Sequence, residues 1–226
     1  MQRSISINYG FCRPLQIMGI IVHKSCAVCS SGNIKEKSLI KDHSHSKEKF
    51  PVYECGDCGF YFTQNIPDAD SIGPYYKSDS YVSHSDTQKG FFFKIYHAVR
   101  NYMLKKKRDL VVRYSGKSKG AVLDIGAGTG YFLSTMKKAG WEVQGVEQDD
   151  DTRAYAVEKS GANVCDANDF YSLPKAKYDA VTMWHVLEHV HDLKGYLAKI
   201  HEVLKDEGGF IVAVPNHKSY DADYYE

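Results

Sequence analysis

Three glycines at alternate positions, Gly126, Gly128 and Gly130, follow the apolar run Ala121 to Ile125. The spacing reads as a buried strand breaking into a turn of bare backbone and then a helix. Such a turn lets a ligand approach the main chain, and the helix start after it offers N–H groups without intrahelical partners. The next apolar strand, Glu142 to Val146, runs into Glu147, where a nucleotide-binding βαβ unit places its ribose-binding carboxylate. The glycines alone are a weak signal. With the acid and the strand–helix–strand frame they point to a nucleotide-like ligand.

A second set of residues has metal chemistry. Cys26-x-x-Cys29 and Cys55-x-x-Cys58 are two pairs on two turns, with Ser30, Ser31, Gly32 and Asn33 after the first and Gly56 and Gly59 in the second. Four thiolates so arranged form the closed tetrahedron of structural zinc, with no open position for catalysis. Val52 to Glu54 and Phe60 to Thr63 read as short strands around the second turn, as in a zinc ribbon over residues 23–66. A segment that small buries too little surface to fold alone, so the metal supplies much of its stability. His43 and His45 fall in the polar connection Lys41 to Lys49 and read as solvated. Cys12 and Cys165 have no partner at metal spacing.

The totals bound what surrounds these sites. The chain has 226 residues, 43% apolar and 25% charged, with a formal net charge of +1. That suits one domain of ordinary size with a small appendage, and gives no overall field for nucleic acid or an anionic membrane. The longest apolar run near the N-terminus, Leu15 to Val22, is interrupted by Gln16 and is too short to span a bilayer. Six cysteines do not suggest a disulfide scaffold. A cytoplasmic protein without a membrane partner is expected. Residues 1–22 fit nothing that follows and read as a poorly structured extension.

Residues 67–89 form a bridge rich in Asp, Ser, Gly and Tyr. Tyr75, Tyr76, Tyr81 and His84 are a dense aromatic and polar set for a linker, suited either to a lid over a pocket or to packing of the loop itself. From Gly90 to Tyr114 apolar residues recur at threes and fours, the helix period, with a basic run Lys105 to Arg108 that reads as a solvated face.

From Ala121 strands and helices alternate: helix Tyr131 to Ala139, strand Glu142 to Val146, helix Asp151 to Ser160, strand Asn163 to Cys165. A loop through Pro174 follows, then strand Ala180 to Met183, helix Leu193 to Leu204 and strand Phe210 to Val214. This predicts an α/β domain over 90–226, a Rossmann-like doubly wound parallel sheet whose ligands bind at the carboxyl ends of its strands.

In combination, Val-Leu-Asp-Ile-Gly-Ala-Gly-Thr-Gly (122–130), Gly-Val-Glu-Gln (145–148), Tyr-Asp-Ala-Val-Thr-Met-Trp-His-Val-Leu-Glu-His-Val (178–190) and Leu-Lys-Asp-Glu-Gly-Gly-Phe (204–210) resemble class I S-adenosylmethionine-dependent methyltransferases. The resemblance covers about residues 90–216 and is nearest the ubiquinone-biosynthesis O-methyltransferase-like branch. The zinc ribbon in front is similar to that of sugar C-methyltransferases with an N-terminal zinc-binding domain. A dinucleotide fingerprint wants a small residue three positions after Gly128; Tyr131 stands there, and the third glycine comes early, at Gly130.

The resemblance implies a cofactor set of Asp124, Gly126, Ala127, Gly128, Gly130, Tyr131, Glu147, Gln148, Asp166, Ala167, Trp184 and His185. Within it the glycines let the backbone approach the methionine half, and Asp124 positions its ammonium. Glu147 accepts both ribose hydroxyls. Gln148 lies beside the adenine, Asp166 accepts its amino group and Ala167 flanks the ring.

Methyl transfer from a sulfonium is an in-line displacement, so alignment in a dry site dominates and a base is needed only if the acceptor loses a proton. His185 is the first choice for that base. His189, four residues on, shares its face if the segment is helical, and reads as structural. No Asp/Asn-Pro-Pro-Tyr follows the fourth strand, which lowers amino acceptors and leaves oxygen or carbon. The expected reaction is methylation of a small molecule such as a sugar nucleotide, a quinone or a lipid precursor. The alternatives are an RNA methyltransferase whose ribbon carries Lys35, Lys37, Lys41, Lys47 and Lys49, and a non-catalytic cofactor-binding module. Such a sheet is expected to continue past the fifth strand, so the domain reads as C-terminally incomplete, with an open edge through which two copies could pair.

Overall fold

The computed structural model describes residues 19–43, 46–69, 71–76 and 91–220, with backbone alone for Tyr76 and 91–93. The expectations for residues 1–18, for His45, and for Tyr81 and His84 of the bridge lie outside the described residues. The chain divides into two compact units, Met1–Lys77 and Ser78–Glu226, so the division falls within the bridge.

The first unit is a three-stranded antiparallel sheet with a two-stranded ribbon. Strands β2 (Ile34–Lys41), β3 (Lys49–Cys55) and β4 (Tyr61–Thr63) lie in that order, and β1 (Ile20–Ile21) pairs antiparallel with β5 (Ile66–Pro67). Ile20 and Ile21, expected in the extension, therefore belong to the ribbon unit. Gln64 fastens the same edge, its Nε2 donating to the His23 carbonyl and its Oε1 accepting from the His23 N–H, both at 2.7 Å. β2 has no sequence signature because nearly all its residues are exposed, so no alternation marks it. It forms because its register with β3, Ile34 opposite Cys55 through Lys41 opposite Lys49, satisfies its backbone. A short helix, α1 (Gly73–Tyr76), closes the unit.

The second unit opens with α2 (Phe91–Ser115). Then come β6 (Ala121–Ile125), α3 (Tyr131–Lys138), β7 (Glu142–Val146), α4 (Asp150–Ser160), β8 (Asn163–Cys165), β9 (Tyr178–Trp184), α5 (Leu193–Val203) and β10 (Leu204–Ala213). The five strands are parallel in the order β10-β9-β6-β7-β8. The chain builds outward from β6 to β8, then returns to β9 on the other side of β6, so the order reverses between β6 and β9. Their carboxyl ends open a crevice there, and the glycine turn follows β6 directly.

Burial explains the strands. All five residues of β6 are buried, as are six of the seven in β9, the composition of strands covered on both faces. Leu123, Ile125, Val181 and Met183 point to one face, against Phe170, Ile200 and Val203. Val122 and Ala180 point to the other, against Val111 of α2 and Phe132 and Met136 of α3. Each of these valine, leucine, isoleucine, methionine and phenylalanine side chains contributes roughly 1.5–3 kcal/mol by leaving water. On α2 the inward stripe is Leu104 and Val111 with Arg100 and Lys107 between and before them. The basic run is thus split: Lys105 and Lys106 are exposed, whereas Lys107 is half-buried.

At the opposite end of the strands from the crevice, Asp179 is 3% exposed. It accepts from the Ala121 N–H at 2.8 Å and from Lys205 Nζ at 2.9 Å, and pairs with Lys117. Burial opposes its charge, but these partners outweigh it and hold the carboxyl down at about 2.

Candidate functional site

The turn after β6 is built from left-handed backbone. Gly126, Gly128 and Gly130 have φ of 73°, 52° and 74°, a region side chains avoid. Two of the three also have no room for a Cβ: at Gly126 it would lie 2.3 Å from Val186 Cγ2, and at Gly130 2.9 Å from the Ala156 carbonyl oxygen. Gly130 is therefore where α3 closes against α4. The N–H groups of Gly126 and Ala127 both donate to the Val146 carbonyl, at 2.8 and 3.0 Å, tying the turn to the end of β7.

Glu147 completes that tie. Its Oε2 accepts from the Gly128 N–H at 2.8 Å and its Oε1 from the Asp149 N–H at 3.2 Å. A fixed, half-buried carboxylate with remaining lone pairs suits a vicinal diol. Asp124, at the crevice end of β6, is 2% exposed. Burial pushes its carboxyl up to about 7, against the lowering effects of Thr182, whose Oγ1 donates to Oδ1 at 2.6 Å, and of Lys107. A buried carboxylate at the carboxyl end of a strand, with a single hydroxyl donor, keeps lone pairs for a cation.

On the far side, Asp166 caps the 3₁₀ turn Ala167–Ser172 through the Asn168 N–H at 2.8 Å, and accepts from Arg153 Nη1 at 3.0 Å. The sequence reading missed Arg153. The same Nη1 donates to the carbonyls of Glu147 at 2.9 Å and Gln148 at 3.3 Å, and Nη2 pairs with Asp150. Arg153 therefore locks the β7 and β8 loops together; nothing local marks it, because a mid-helix arginine normally faces solvent. Asp166 is partly committed to this lock, with Ala167 half-buried beside it and Gln148 exposed.

At the end of β9, Trp184 is half-buried against Phe132, ring centroids 5.7 Å apart. The segment after it is not the continuous helix that would place His185 and His189 on one face. His185 has φ 61°, a strained value for a side-chain-bearing residue, and its N–H donates to the Ala213 carbonyl at 2.9 Å. A 3₁₀ turn begins only at Leu187. The His185 imidazole is 64% exposed, with Nδ1 3.6 Å from Glu188 Oε1.

In the first unit the four predicted thiols converge. Cys26 and Cys58 Sγ lie 3.6 Å apart, Cys29 and Cys55 Sγ 3.5 Å, and all four within 4.8 Å of one another. Zinc–sulfur bonds of about 2.3 Å in a tetrahedron require sulfurs roughly 3.8 Å apart. The two turns repeat each other: Ser30 donates to the Cys26 carbonyl and Gly59 to that of Cys55, with φ of 64° and 71°. The backbone N–H of Cys58 first, and then that of Asp57 against the opposing effect of burial, brings the Cys55 thiol down to about 7. The donor set fits a structural zinc. Tyr75 of the bridge also lies in this unit, its hydroxyl donating to Glu48 Oε2 at 2.9 Å and its ring against Phe50.

An open parallel α/β sheet whose order reverses beside a glycine turn, with a carboxylate at the end of the next strand and a buried acid, has the architecture of a nucleotide-cofactor-binding domain. Residues 98–226 match the family model described as a methyltransferase domain, and the chain belongs to that family. A probable S-adenosylmethionine-dependent methyltransferase of Mycolicibacterium smegmatis is 26% identical over 130 residues, 54% of this chain and 49% of its own length. The chain thus spans about half the length of that relative. Among solved structures, a SAM-dependent methyltransferase from Archaeoglobus fulgidus is 24% identical with a TM-score of 0.47, over 61% of this chain and 65% of its own. A protein of Pyrococcus horikoshii OT3 is 25% identical with a TM-score of 0.45, over 50% and 57%. Among the described residues no helix is long and apolar enough to cross a membrane.

Proposed function

We propose that this protein binds S-adenosylmethionine at the β6–β7–β9 crevice and transfers its methyl group to an oxygen or carbon of a small acceptor: a sugar nucleotide, a quinone or a lipid precursor. The observation that carries the reading is Glu147, fixed on the Gly128 N–H at the end of β7, facing a buried Asp124 at the end of β6. Glu147 holds the ribose hydroxyls, Asp124 the ammonium, and Asp166 and Ala167 the adenine. The cofactor supplies a methyl carbon on a sulfonium and leaves as the thioether S-adenosylhomocysteine.

The chain's own contribution is alignment and exclusion of water. Where the acceptor is a hydroxyl, its proton passes to His185. The ring is presented by the left-handed backbone after β9, and Nδ1 faces Glu188, so Nε2 meets the proton. The four cysteines hold zinc for the first unit's folding, and the reading places the protein in the cytoplasm. The edge of β10, beside which no further strand lies among the described residues, pairs with a second copy, which light scattering in solution tests.

Two other readings compete. The RNA reading rests on the lysines of β2, β3 and the loop between them, but Lys37 pairs with Glu54 at 3.4 Å and Lys47 Nζ donates to the His43 carbonyl, so part of that stripe is spent internally. The third is a cofactor-binding module without catalysis. Calorimetry with S-adenosylmethionine decides first: absence of binding by the intact protein refutes both enzyme readings. A salt-sensitive gel shift with structured RNA then separates RNA from small-molecule acceptors. Methyl incorporation into any acceptor from a labelled cofactor excludes the module.

A further inference from the structure

The side of α2 turned away from the core carries an apolar stripe. Ile95, Val99, Tyr102 and Met103 recur at fours and threes and are 46–58% exposed; Leu110 and Tyr114 continue the row. Leu104 and Val111 of the same helix face the core. A helix on the surface of a soluble domain sets charge against water, so a row of large apolar side chains there marks a surface that something meets.

The charge of the helix narrows what that is. From Phe91 to Ser115 it holds seven lysines and arginines against one acid, Asp109. It therefore carries +6 of a chain whose total is +1, and the remainder is net acidic. The total, from which no membrane partner is expected, hides this asymmetry. Asp109 is spent within the helix, its Oδ1 accepting from Arg108 Nε at 2.9 Å and Nη2 at 2.6 Å. Lys106 Nζ lies 5.4 Å from the ring centroid of Tyr102, and the Arg113 guanidinium carbon 5.6 Å from that of Tyr114. Their aliphatic stems thus run beside the rings of the stripe, while the charged heads reach water. Lys94 and Lys105 are exposed as well.

A face that is both apolar and basic selects a partner that is both apolar and acidic. RNA supplies the charge only: bases stack on rings and leave Ile95, Val99, Met103 and Leu110 uncovered. A second α2 supplies the apolar row but sets +6 against +6. A lipid surface with acidic headgroups supplies both, an acyl boundary for the aliphatic side chains, a wet layer for the tyrosine hydroxyls and phosphate for the cations. We propose that the outer face of α2 docks on an anionic lipid surface, lying in its plane. The proposal goes beyond the cofactor reading and does not depend on it.

The test is sedimentation of the full chain with vesicles of equal parts phosphatidylglycerol and phosphatidylcholine, and with phosphatidylcholine alone. The unaltered protein is expected to sediment with the first and not the second, less so as salt is raised. Val99→Ser/Met103→Ser and Lys105→Glu/Lys106→Glu are each expected to weaken that partition about tenfold. Leu39→Ser/Ile40→Ser, an exposed apolar pair of the ribbon unit, is expected to leave it unchanged. All these positions are exposed, so each variant should unfold within about 3 °C of the unaltered protein, and either α2 variant suffices if the other does not fold. No sedimentation with anionic vesicles, or partition that neither α2 variant weakens, overturns the proposal. A gel shift with structured RNA that both α2 variants abolish, without vesicle binding, overturns it in favour of nucleic acid. A dimer in light scattering that Val99→Ser/Met103→Ser dissolves, without vesicle binding, overturns it in favour of a second copy.

Discussion

Glu147 is the residue at which the cofactor reading is most exposed to refutation. Its carboxylate accepts two backbone N–H groups, from Gly128 at 2.8 Å and Asp149 at 3.2 Å, and is assigned two ribose hydroxyls. A hydrogen bond to a charged group is worth about 1.5–3 kcal/mol net. Glu147→Ala removes both ligand bonds, about 3 kcal/mol at the lower bound, which is on the order of 100-fold in affinity. It also frees the Gly128 and Asp149 N–H groups; both sit where water reaches, so the stability loss is about 1 kcal/mol, or roughly 2–4 °C in melting temperature for a chain of this size. Glu147→Gln keeps one acceptor and is expected to fall between. Titration calorimetry reads the first quantity and thermal unfolding without ligand the second. The ribose is common to S-adenosylhomocysteine and to 5′-methylthioadenosine, which lacks the amino-acid end, so both should weaken by the same factor. If Glu147→Ala binds S-adenosylhomocysteine within threefold of the unaltered protein, the ribose assignment fails.

Three further outcomes are expected. Burial pushes the Asp124 carboxyl up to about 7 and it must be charged to hold the ammonium, so cofactor affinity should fall about tenfold per pH unit below neutrality and Asp124→Asn should flatten that slope; calorimetry from pH 5.5 to 7.5 checks this. Asp179, held down at about 2 against 3.8 when unperturbed, is a depressed carboxyl, so its stabilisation is complete above about pH 4 and lost as pH falls toward 2. It amounts to roughly 2 kcal/mol, and Asp179→Asn should lower the denaturant midpoint at pH 7 and remove that part of the acid transition. Purified protein should carry one zinc per chain by elemental analysis, and a strong chelator or Cys55→Ser should unfold residues 19–76, seen as lost amide protection there.

Several features were legible in the sequence because their causes are local. The strands Ala121–Ile125, Glu142–Val146 and Asn163–Cys165 stand where apolar runs and glycines put them. The cysteine pairs converge because each turn is self-contained and the metal geometry asks only for spacing. The glycine turn and Glu147 meet because a βαβ unit has few ways to fold. Other features depended on partners distant in sequence. β2 is polar on both faces and exists through its register with β3. Tyr75 could serve a pocket or its own unit, and its bond to Glu48 places it against the ribbon. His185 reads as a base from its position, but its left-handed backbone follows from the bond to Ala213 on β10. The helix period of α2 told which residues are apolar, while the inward place of Lys107 depends on what α2 packs against. The order of the strands, with β9 returning beside β6, is likewise tertiary. By itself the sequence determined the strands of the parallel sheet that flank the glycine turn, and the turn itself, since those follow from periodicity and backbone freedom. Only the tertiary structure decided which charges meet at the crevice, because burial and electrostatic pairing are set by neighbours that the chain order does not reveal.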